Sequence, residues 1–201
     1  MSEFSQTPYR ILKYPVRFLL FFAHPVFRVK GRENLPEGAV LLCANHVAFT
    51  DPIWIVLAGK FRRIPRTMAK IEIMRVPIVG AVLRSLGGFA VNREISDINA
   101  VKTAMRILRE GDKVLIFPEG TRIRKGKTAK PHGGAIVLSN RTQTPLVPVY
   151  ITRNRRFLAP MEIEFGKPYL PQTDGRRVSE EDAERLAAEL MDKVYAMGAR
   201  P

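Results

Sequence analysis

Short apolar runs alternate with amphipathic segments along the chain, and this alternation predicts the order of strands and helices. The runs with the length and composition of strands are residues 40–44, 89–91, 114–117, 146–151 and the alternating run 161–165. The segments with helical character are residues 51–59, 78–86, 97–110, 134–140 and 179–198. Strands that alternate with helices predict an α/β layered domain, in which helices flank a largely parallel or mixed central sheet.

Polar residues mark the starts of several predicted helices. Asp51 before Pro52 has the pattern of an N-cap followed by proline at the first helical position, and Asp97 and Ser179 are placed to cap two further helices. Pro148 lies inside an apolar run, and because proline cannot donate to a sheet ladder, it predicts an edge strand or a bulge. The apolar face predicted for the helix after Asp97 consists of Ile98, Val101, Met105 and Leu108.

The N-terminal segment, residues 1–30, mixes aromatic and aliphatic residues with scattered basic ones. Its longest span without Lys or Arg, residues 18–27, is about half of the roughly 20 residues that a helix needs to cross a bilayer. No small-residue cleavage site follows it, which argues against a secretory signal peptide. We therefore predict a helical segment lying in the membrane interface, ahead of a single domain at residues 31–201. The alternative is a helix that closes the core of that domain.

An excess of Lys and Arg, 33 against 19 Asp and Glu, gives the chain a net charge of +14. This excess predicts an anionic partner, which composition leaves open between nucleic acid, an anionic membrane surface and a phosphorylated substrate. Cys43 is the only cysteine, which excludes a disulfide framework and a multi-cysteine zinc site. It lies in an apolar run and is expected in the core, and with three histidines far apart in the sequence we expect no metal site.

An imidazole and a carboxylate flank the first predicted strand-to-helix turn. Asp51 at the start of the helix can turn its carboxylate back toward His46, holding the tautomer whose free nitrogen accepts a proton. A general base of this kind speeds a reaction by about 10²–10⁴-fold. Taken alone, the two residues also fit a helix cap and an ordinary loop histidine.

A second polar group, Glu119-Gly120-Thr121-Arg122, follows the strand predicted at residues 114–117. Open α/β sheets bind ligands at the carboxyl ends of their strands. The guanidinium of Arg122 suits a phosphate, and Gly120 lets backbone N–H groups approach an anion closely. The alternative is a surface ion pair between Glu119 and Arg122, which contributes little.

These groups belong to four blocks that occur in order along most of the chain, at residues 45–52, 87–93, 117–122 and 146–151. The series resembles the 1-acylglycerol-3-phosphate acyltransferase family, the lysophosphatidic acid acyltransferases of glycerophospholipid synthesis. The resemblance implies that His46 takes the proton from the acceptor hydroxyl and that Asp51 orients His46. The positions that it matches to the site of the acceptor phosphate are Lys70, Arg93, Glu119, Gly120, Thr121 and Arg122.

The resemblance implies acyl transfer from an acyl-coenzyme A or acyl carrier protein thioester to the sn-2 hydroxyl of lysophosphatidic acid, with no bound cofactor. It also implies a peripheral or monotopic protein at the cytoplasmic face of an anionic membrane. Acylation of glycerol 3-phosphate or of another lysophospholipid stays open.

Two non-enzymatic functions are weighed against this one. The basic cluster at residues 153–156 suggests nucleic-acid binding, but the sequence has no recognisable nucleic-acid module. A lipid-binding scaffold on an inactive fold is disfavoured because His46 and Asp51 are both present. The basic loop at residues 122–130 fits coenzyme A phosphates, an acyl carrier protein, membrane lipid or simple solvation equally well.

Overall fold

The structure, a computed structural model, describes residues 14, 18, 22, 24–85, 87–91, 97–123, 129–154, 156–173 and 178–199. The strands are β1 (Phe27–Lys30), β2 (Val40–Ala44), β3 (Arg66–Lys70), β4 (Phe89–Val91), β5 (Lys113–Ile116), β6 (Leu146–Ile151) and β7 (Met161–Phe165). The α-helices are α1 (Asp51–Gly59), α2 (Ile71–Arg75), α3 (Pro77–Ser85), α4 (Ile98–Arg109), α5 (Gly134–Thr142) and α6 (Glu180–Gly198). A short 3₁₀ helix, Arg32–Asn34, follows β1.

The described strands form one sheet in the order β1-β7-β6-β2-β5-β3-β4. Neighbouring strands are parallel except for β6 and β7, which are antiparallel. The predicted α/β class with a largely parallel, mixed sheet is confirmed. Because β2, β5 and β3 are parallel neighbours, their carboxyl ends lie side by side, at what we call the carboxyl edge of the sheet.

Helices cover both faces of the sheet, and the side chains of β2 point alternately toward one face and the other. Leu41 and Cys43 point toward the side covered by α4, α5 and α6, whereas Leu42 and Ala44 point toward the side covered by α1. All five residues of β2 are fully buried. A strand buried on both faces has a continuous apolar sequence, which explains why the pattern predicted this strand with its observed bounds.

Two predicted helix caps are confirmed by side-chain hydrogen bonds. The carboxylate of Asp97 accepts from the backbone N–H of Ala100 at the start of α4. The hydroxyl of Ser179 accepts from the backbone N–H of Asp182 at the start of α6. Both bonds satisfy donors that have no partner within the helix, and they fix where each helix begins.

Two details of the predicted helices are wrong. Asp51 is the first residue of α1 and Thr50 takes the cap position, so the helix begins one residue earlier than expected. Ile98, expected on the apolar face of α4, is 64% exposed, because the buried face of this helix begins only at Ala100.

Of the two alternatives predicted from Pro148, the edge strand is wrong, since β6 lies between β2 and β7. The bulge agrees with the pairing, whose register shifts by one residue between the pairs Leu146–Tyr169 and Val149–Phe165. The carbonyl of Pro148 accepts from the N–H of Gly166 on the β7 side, and the β6–β7 ladder begins one residue later, at the pair Val149 and Phe165. In a strand, the N–H and C=O of one residue point the same way. The missing donor of Pro148 therefore falls just outside that ladder and leaves the pairing with β2 intact.

Most of the predicted membrane-interface segment, residues 1–30, lies outside the described residues. Tyr14, Phe18 and Phe22 are described, and their side chains are exposed. The rings of Phe18 and Phe22 meet edge to face with centroids 5.1 Å apart. The last four residues of the segment form β1, which pairs with β7. Among the described helices, none combines the length and the hydropathy that a membrane crossing requires.

Candidate functional site

The carboxyl edge brings together most of the residues singled out from the sequence. His46 lies two residues beyond the end of β2, and Glu119 lies three residues beyond the end of the neighbouring strand β5. Lys70 is the last residue of β3, on the other side of β5. The two motifs are far apart in the sequence, and the parallel order β2-β5-β3 is what makes them neighbours.

His46 and Asp51 are in direct contact, as the turn between them led us to expect. The Nδ1 atom of His46 lies 2.9 Å from Oδ2 of Asp51. The same oxygen accepts the backbone N–H groups of Val47 at 2.6 Å and Ala48 at 2.8 Å. The Asp51 side chain is fully buried, and the His46 side chain is 15% exposed.

This geometry selects a tautomer for His46. A carboxylate with no proton can only accept, so the Nδ1 atom of His46 donates to Asp51. The Nε2 atom is then the ring nitrogen with a lone pair, and it can take a proton from a substrate. The pair thus has the arrangement of a general base and the group that orients it.

Three further contacts fix the histidine. Its ring stacks on Phe117, with centroids 4.1 Å apart and planes inclined by 25°. Its backbone N–H donates to Oε2 of Glu119 at 2.9 Å, and its carbonyl accepts from the N–H of Ile123 at 2.8 Å. The loop after β2 is therefore bound to the loop after β5 through His46 itself. Glu119, predicted to shape a phosphate site, is buried beneath these loops.

Tyr195, on α6, is a residue that the sequence analysis missed. Its hydroxyl donates to Oε1 of Glu119, whose other oxygen receives the His46 N–H. Burial, together with the hydrogen bond to Glu119, raises the pKa of the Tyr195 hydroxyl well above its usual range, so it stays protonated and remains a donor. No motif contains this tyrosine, which follows the buried Val194 within the helix, and no sequence signal separated it from its neighbours.

Asn45, the first residue of the block at residues 45–52, has a structural role. It is fully buried, its Nδ2 donates to the carbonyl of Ile151 at 3.0 Å, and its Oδ1 accepts the Ile151 N–H at 2.8 Å. The two bonds join the carboxyl ends of β2 and β6 next to His46. A polar amide directly after a wholly apolar strand is the signal that could have pointed to it.

The residues predicted to bind the acceptor phosphate make fewer contacts with one another than His46 and Asp51 do, among those that the structure describes. Thr121 and Arg122 are exposed, and Lys70 is partly exposed with its Nζ 3.7 Å from a carboxylate oxygen of Glu72. Arg93 lies outside the described residues, as do residues 124–128 of the basic loop. Lys70 and Arg122 lie at or beyond the carboxyl ends of the adjacent strands β3 and β5, and both carry the charge that an anionic ligand requires.

Gly120 occupies a position that requires glycine. Its φ is +65°, in the left-handed region, and a Cβ added there would lie 2.8 Å from ring atoms of His132. The backbone N–H of His132 donates to the carbonyl of Pro118 at 2.8 Å, which brings this second histidine beside the Glu119 loop.

Cys43 is fully buried, and burial raises its pKa well above the usual range, in agreement with the expected core position. In the described part of the chain, no three side chains of His, Cys, Asp or Glu come together in a way that could hold a metal ion.

Comparison with known proteins adds independent observations. The acyltransferase family model matches residues 26–152. A 1-acyl-sn-glycerol-3-phosphate acyltransferase of Borreliella burgdorferi is 30% identical over 187 residues, covering 89% of this chain and 74% of that protein. The protein of the same name from Bacillus subtilis is 33% identical over 123 residues, and the match covers 60% of each chain.

A solved structure extends the similarity to the fold. The crystal structure of PlsC from Thermotoga maritima, a 1-acyl-sn-glycerophosphate acyltransferase, matches with a TM-score of 0.69 at 26% identity. The match covers 96% of this chain and 80% of that one.

Proposed function

Because the chain belongs to the acyltransferase family, we propose that it transfers a fatty acyl group from a thioester to the sn-2 hydroxyl of lysophosphatidic acid, giving phosphatidic acid. The observation that carries the proposal is the contact of 2.9 Å between His46 Nδ1 and Asp51 Oδ2 at the carboxyl edge. The names of the similar proteins from three bacteria supply the substrate class.

The proposed reaction is a direct attack without an acyl-enzyme. Nε2 of His46 takes the proton of the sn-2 hydroxyl as its oxygen bonds to the thioester carbonyl carbon. The tetrahedral intermediate collapses, the carbon–sulfur bond breaks, and the departing thiolate takes the proton from Nε2, which restores the neutral imidazole. The buried carboxylate of Asp51 stabilises the imidazolium between these two steps.

Cations at the carboxyl edge hold the acceptor. We assign its phosphate to Lys70 and Arg122, together with Arg93, which lies outside the described residues. Glu119, Gly120 and Thr121 form the floor of this subsite, as the family resemblance implies. Permanently charged guanidinium groups suit a phosphate dianion because they bind two of its oxygens at once.

The donor is the thioester of coenzyme A or of an acyl carrier protein, and the protein acts at the cytoplasmic face of a membrane. A long-chain lysophospholipid resides at that surface. The exposed rings of Phe18 and Phe22, with the net charge of +14, suit the interface of an anionic bilayer.

The test is acyl transfer to lysophosphatidic acid in mixed micelles, with acyl-coenzyme A and acyl carrier protein donors assayed separately. We expect His46→Ala to lower kcat by about 10²–10⁴-fold with folding intact, as judged by circular dichroism. His132→Ala, which removes the exposed histidine of the neighbouring loop, is the matched control and keeps most of the turnover.

A wild-type protein inactive on lysophosphatidic acid but active on glycerol 3-phosphate or another lysophospholipid would move the proposal to that acceptor. Wild-type turnover in His46→Ala would remove His46 as the base.

A further inference from the structure

We propose that the turn at residues 156–159, between β6 and β7, inserts Phe157 and Leu158 into an anionic phospholipid surface beside the catalytic base. The inference rests on the proposed function, since it places the site at the surface that holds its lipid acceptor. It gives a role to the basic cluster at residues 153–156, for which the acyl-transfer chemistry has no use.

The turn presents two large apolar side chains to solvent. The backbone N–H of Ala159 donates to the carbonyl of Arg156 at 3.0 Å, which closes a β-turn with Phe157 and Leu158 as its central residues. Phe157 is 73% exposed and Leu158 is 55% exposed. Two adjacent apolar residues at the tip of a turn contribute nothing to the core, so their exposure needs another cause.

The backbone at Leu158 strengthens this argument. Its φ is +64°, in the left-handed region, where the third residue of such a turn is usually Gly or Asn. A leucine there strains the turn and exposes its side chain, two costs that glycine would avoid. Strained residues of this kind concentrate at binding sites.

Charge determines which surface the turn fits. Arg153 and Arg156 precede the tip in the sequence and are both exposed, and Arg155 lies outside the described residues. Apolar side chains next to cations match a bilayer interface, in which acyl chains lie beneath anionic headgroups. A nucleic acid would match the arginines but would leave an exposed leucine unexplained.

The β6–β7 connection that carries the turn begins beside His46. The guanidinium carbon of Arg153 is 5.4 Å from the centre of the Tyr195 ring, whose hydroxyl donates to Glu119. Ile151, at the end of β6, is bonded twice to Asn45, the residue before His46. Lipid contact at the turn therefore brings the reactive histidine to the membrane surface.

The turn is also continuous with the N-terminal aromatic residues. Nδ1 of His24 lies 2.7 Å from the carbonyl oxygen of Ala159, the residue that follows Leu158. The exposed Phe22 is two residues before His24. One hydrogen bond thus joins two exposed apolar segments, which can enter the same lipid surface together.

The first test attaches an environment-sensitive, thiol-reactive fluorophore to Phe157→Cys. Cys43 is fully buried, so the label goes to the new thiol. The control is Leu170→Cys, because Leu170 is 50% exposed but follows Tyr169, which pairs with Leu146 at the opposite end of β6.

We expect the emission of the label at position 157 to shift to the blue on phosphatidylcholine vesicles containing phosphatidylglycerol, and the label at position 170 to stay unchanged. Vesicle-bound protein with an unchanged label at 157 overturns the proposal, as does a label that responds to duplex DNA but not to vesicles.

The second test is partition onto the same vesicles by co-sedimentation. Phe157→Ser combined with Leu158→Gly should lower the partition coefficient by about tenfold or more. Because glycine relieves the positive φ, the double variant should unfold at a temperature no lower than the wild type does. Leu170→Ser serves as the control, and equal partition of wild type and double variant contradicts the inference.

An assay with a short-chain lysophosphatidic acid below its micellar concentration separates this inference from the proposed function. We expect the double variant to keep wild-type turnover there and to lose turnover only on vesicles, whereas His46→Ala loses both. A wild type that is inactive in both assays would contradict the proposed function. The insertion of the turn would then still be tested by the partition and fluorescence measurements, which do not depend on activity.

Discussion

At the scale of single residues, one oxygen atom organises the catalytic loop. Oδ2 of Asp51 accepts from Nδ1 of His46 and from the N–H groups of Val47 and Ala48. A buried carboxylate that receives three donors is held in place, and it holds the imidazole in turn. The charge of Asp51 thus holds the turn in shape and, in the proposed reaction, supports the base.

Asp51→Asn tests the charge at nearly constant size. We expect kcat to fall by about 10²-fold or more, because an amide neither stabilises the imidazolium nor fixes one tautomer of His46. The measurement is steady-state acyl transfer to lysophosphatidic acid. Asp97→Asn is the control, because it makes the same change at the N-cap of α4, which is not part of the His46–Asp51 pair. Asparagine caps a helix about as well as aspartate does, so this variant should fold normally. Normal kcat in Asp51→Asn would leave this aspartate a purely structural role.

Tyr195 donates to the same carboxylate, Glu119, that receives the His46 N–H, and Tyr195→Phe tests whether this contact positions the proposed base. In Tyr195→Phe the carboxylate loses a donor and holds the His46 N–H less firmly, so we expect kcat to fall by about tenfold with little change in KM. The amide proton resonance of His46 should move upfield in the NMR spectrum. Tyr169→Phe, at another partly buried tyrosine, should change neither quantity. An unmoved His46 resonance in Tyr195→Phe would show that the hydroxyl does not act on this loop.

The sequence predicts contacts between residues that lie close together in one short motif. The His46–Asp51 contact was predictable because five residues and one turn connect the two side chains. The contacts of Tyr195 with Glu119 and of Asn45 with Ile151 join residues 76 and 106 positions apart. Such pairs depend on how strands and helices are ordered in space, which local pattern does not encode.

At the scale of elements, the closing helix α6 joins the core to the site. Its buried stripe, including Leu186, Leu190 and Val194, packs against the sheet, and Tyr195 reaches Glu119 from the next position. Six apolar residues of this segment recur at helical spacing in the sequence, and all six are buried: Ala183, Leu186, Ala187, Leu190, Met191 and Val194. Stability and catalytic geometry therefore depend on the same helix.

Leu190→Ala should lower the free energy of unfolding by about 2–5 kcal/mol, because Leu190 is fully buried and its removal leaves a cavity. Urea denaturation measures the change. Asp192→Ala, on the exposed side of the same helix, should stay within about 0.5 kcal/mol of the wild type. Equal stability of the two variants would mean that α6 does not pack on the sheet as described.

The two strands that the sequence did not predict, β3 and β1, both have a weak hydrophobic pattern. β3, with the sequence RTMAK, has one buried residue, the polar Thr67, and a basic residue at each end, although it pairs on both sides. β1 alternates half-buried and exposed positions at the sheet edge, and its sequence, FRVK, was assigned to the membrane-interface segment. Strands are recognised in a sequence by a continuous apolar run or by a clear apolar/polar alternation, as at residues 161–165, and β3 and β1 are too short or too mixed to show either.

At the scale of the whole molecule, strand order converts separate motifs into one site. The sequence indicated the class of sheet, but the order β1-β7-β6-β2-β5-β3-β4 follows from long-range packing that no single segment determines. That order gathers the loops after β2, β5, β3 and β6 at one edge. The 156–159 turn and the exposed Phe22 reach the same region through Arg153 and His24.

The net charge of +14 and the apolar turn make separable contributions to membrane binding, and salt distinguishes them. Raising the ionic strength from about 0.01 M to about 1 M shortens the Debye length from roughly 30 Å to roughly 3 Å, which screens exposed Lys and Arg but not apolar insertion. We expect partition onto phosphatidylglycerol vesicles to fall steeply and then reach a plateau. The plateau of the Phe157→Ser, Leu158→Gly variant should lie below that of the wild type. Equal plateaus would assign the whole apolar contribution to the N-terminal segment.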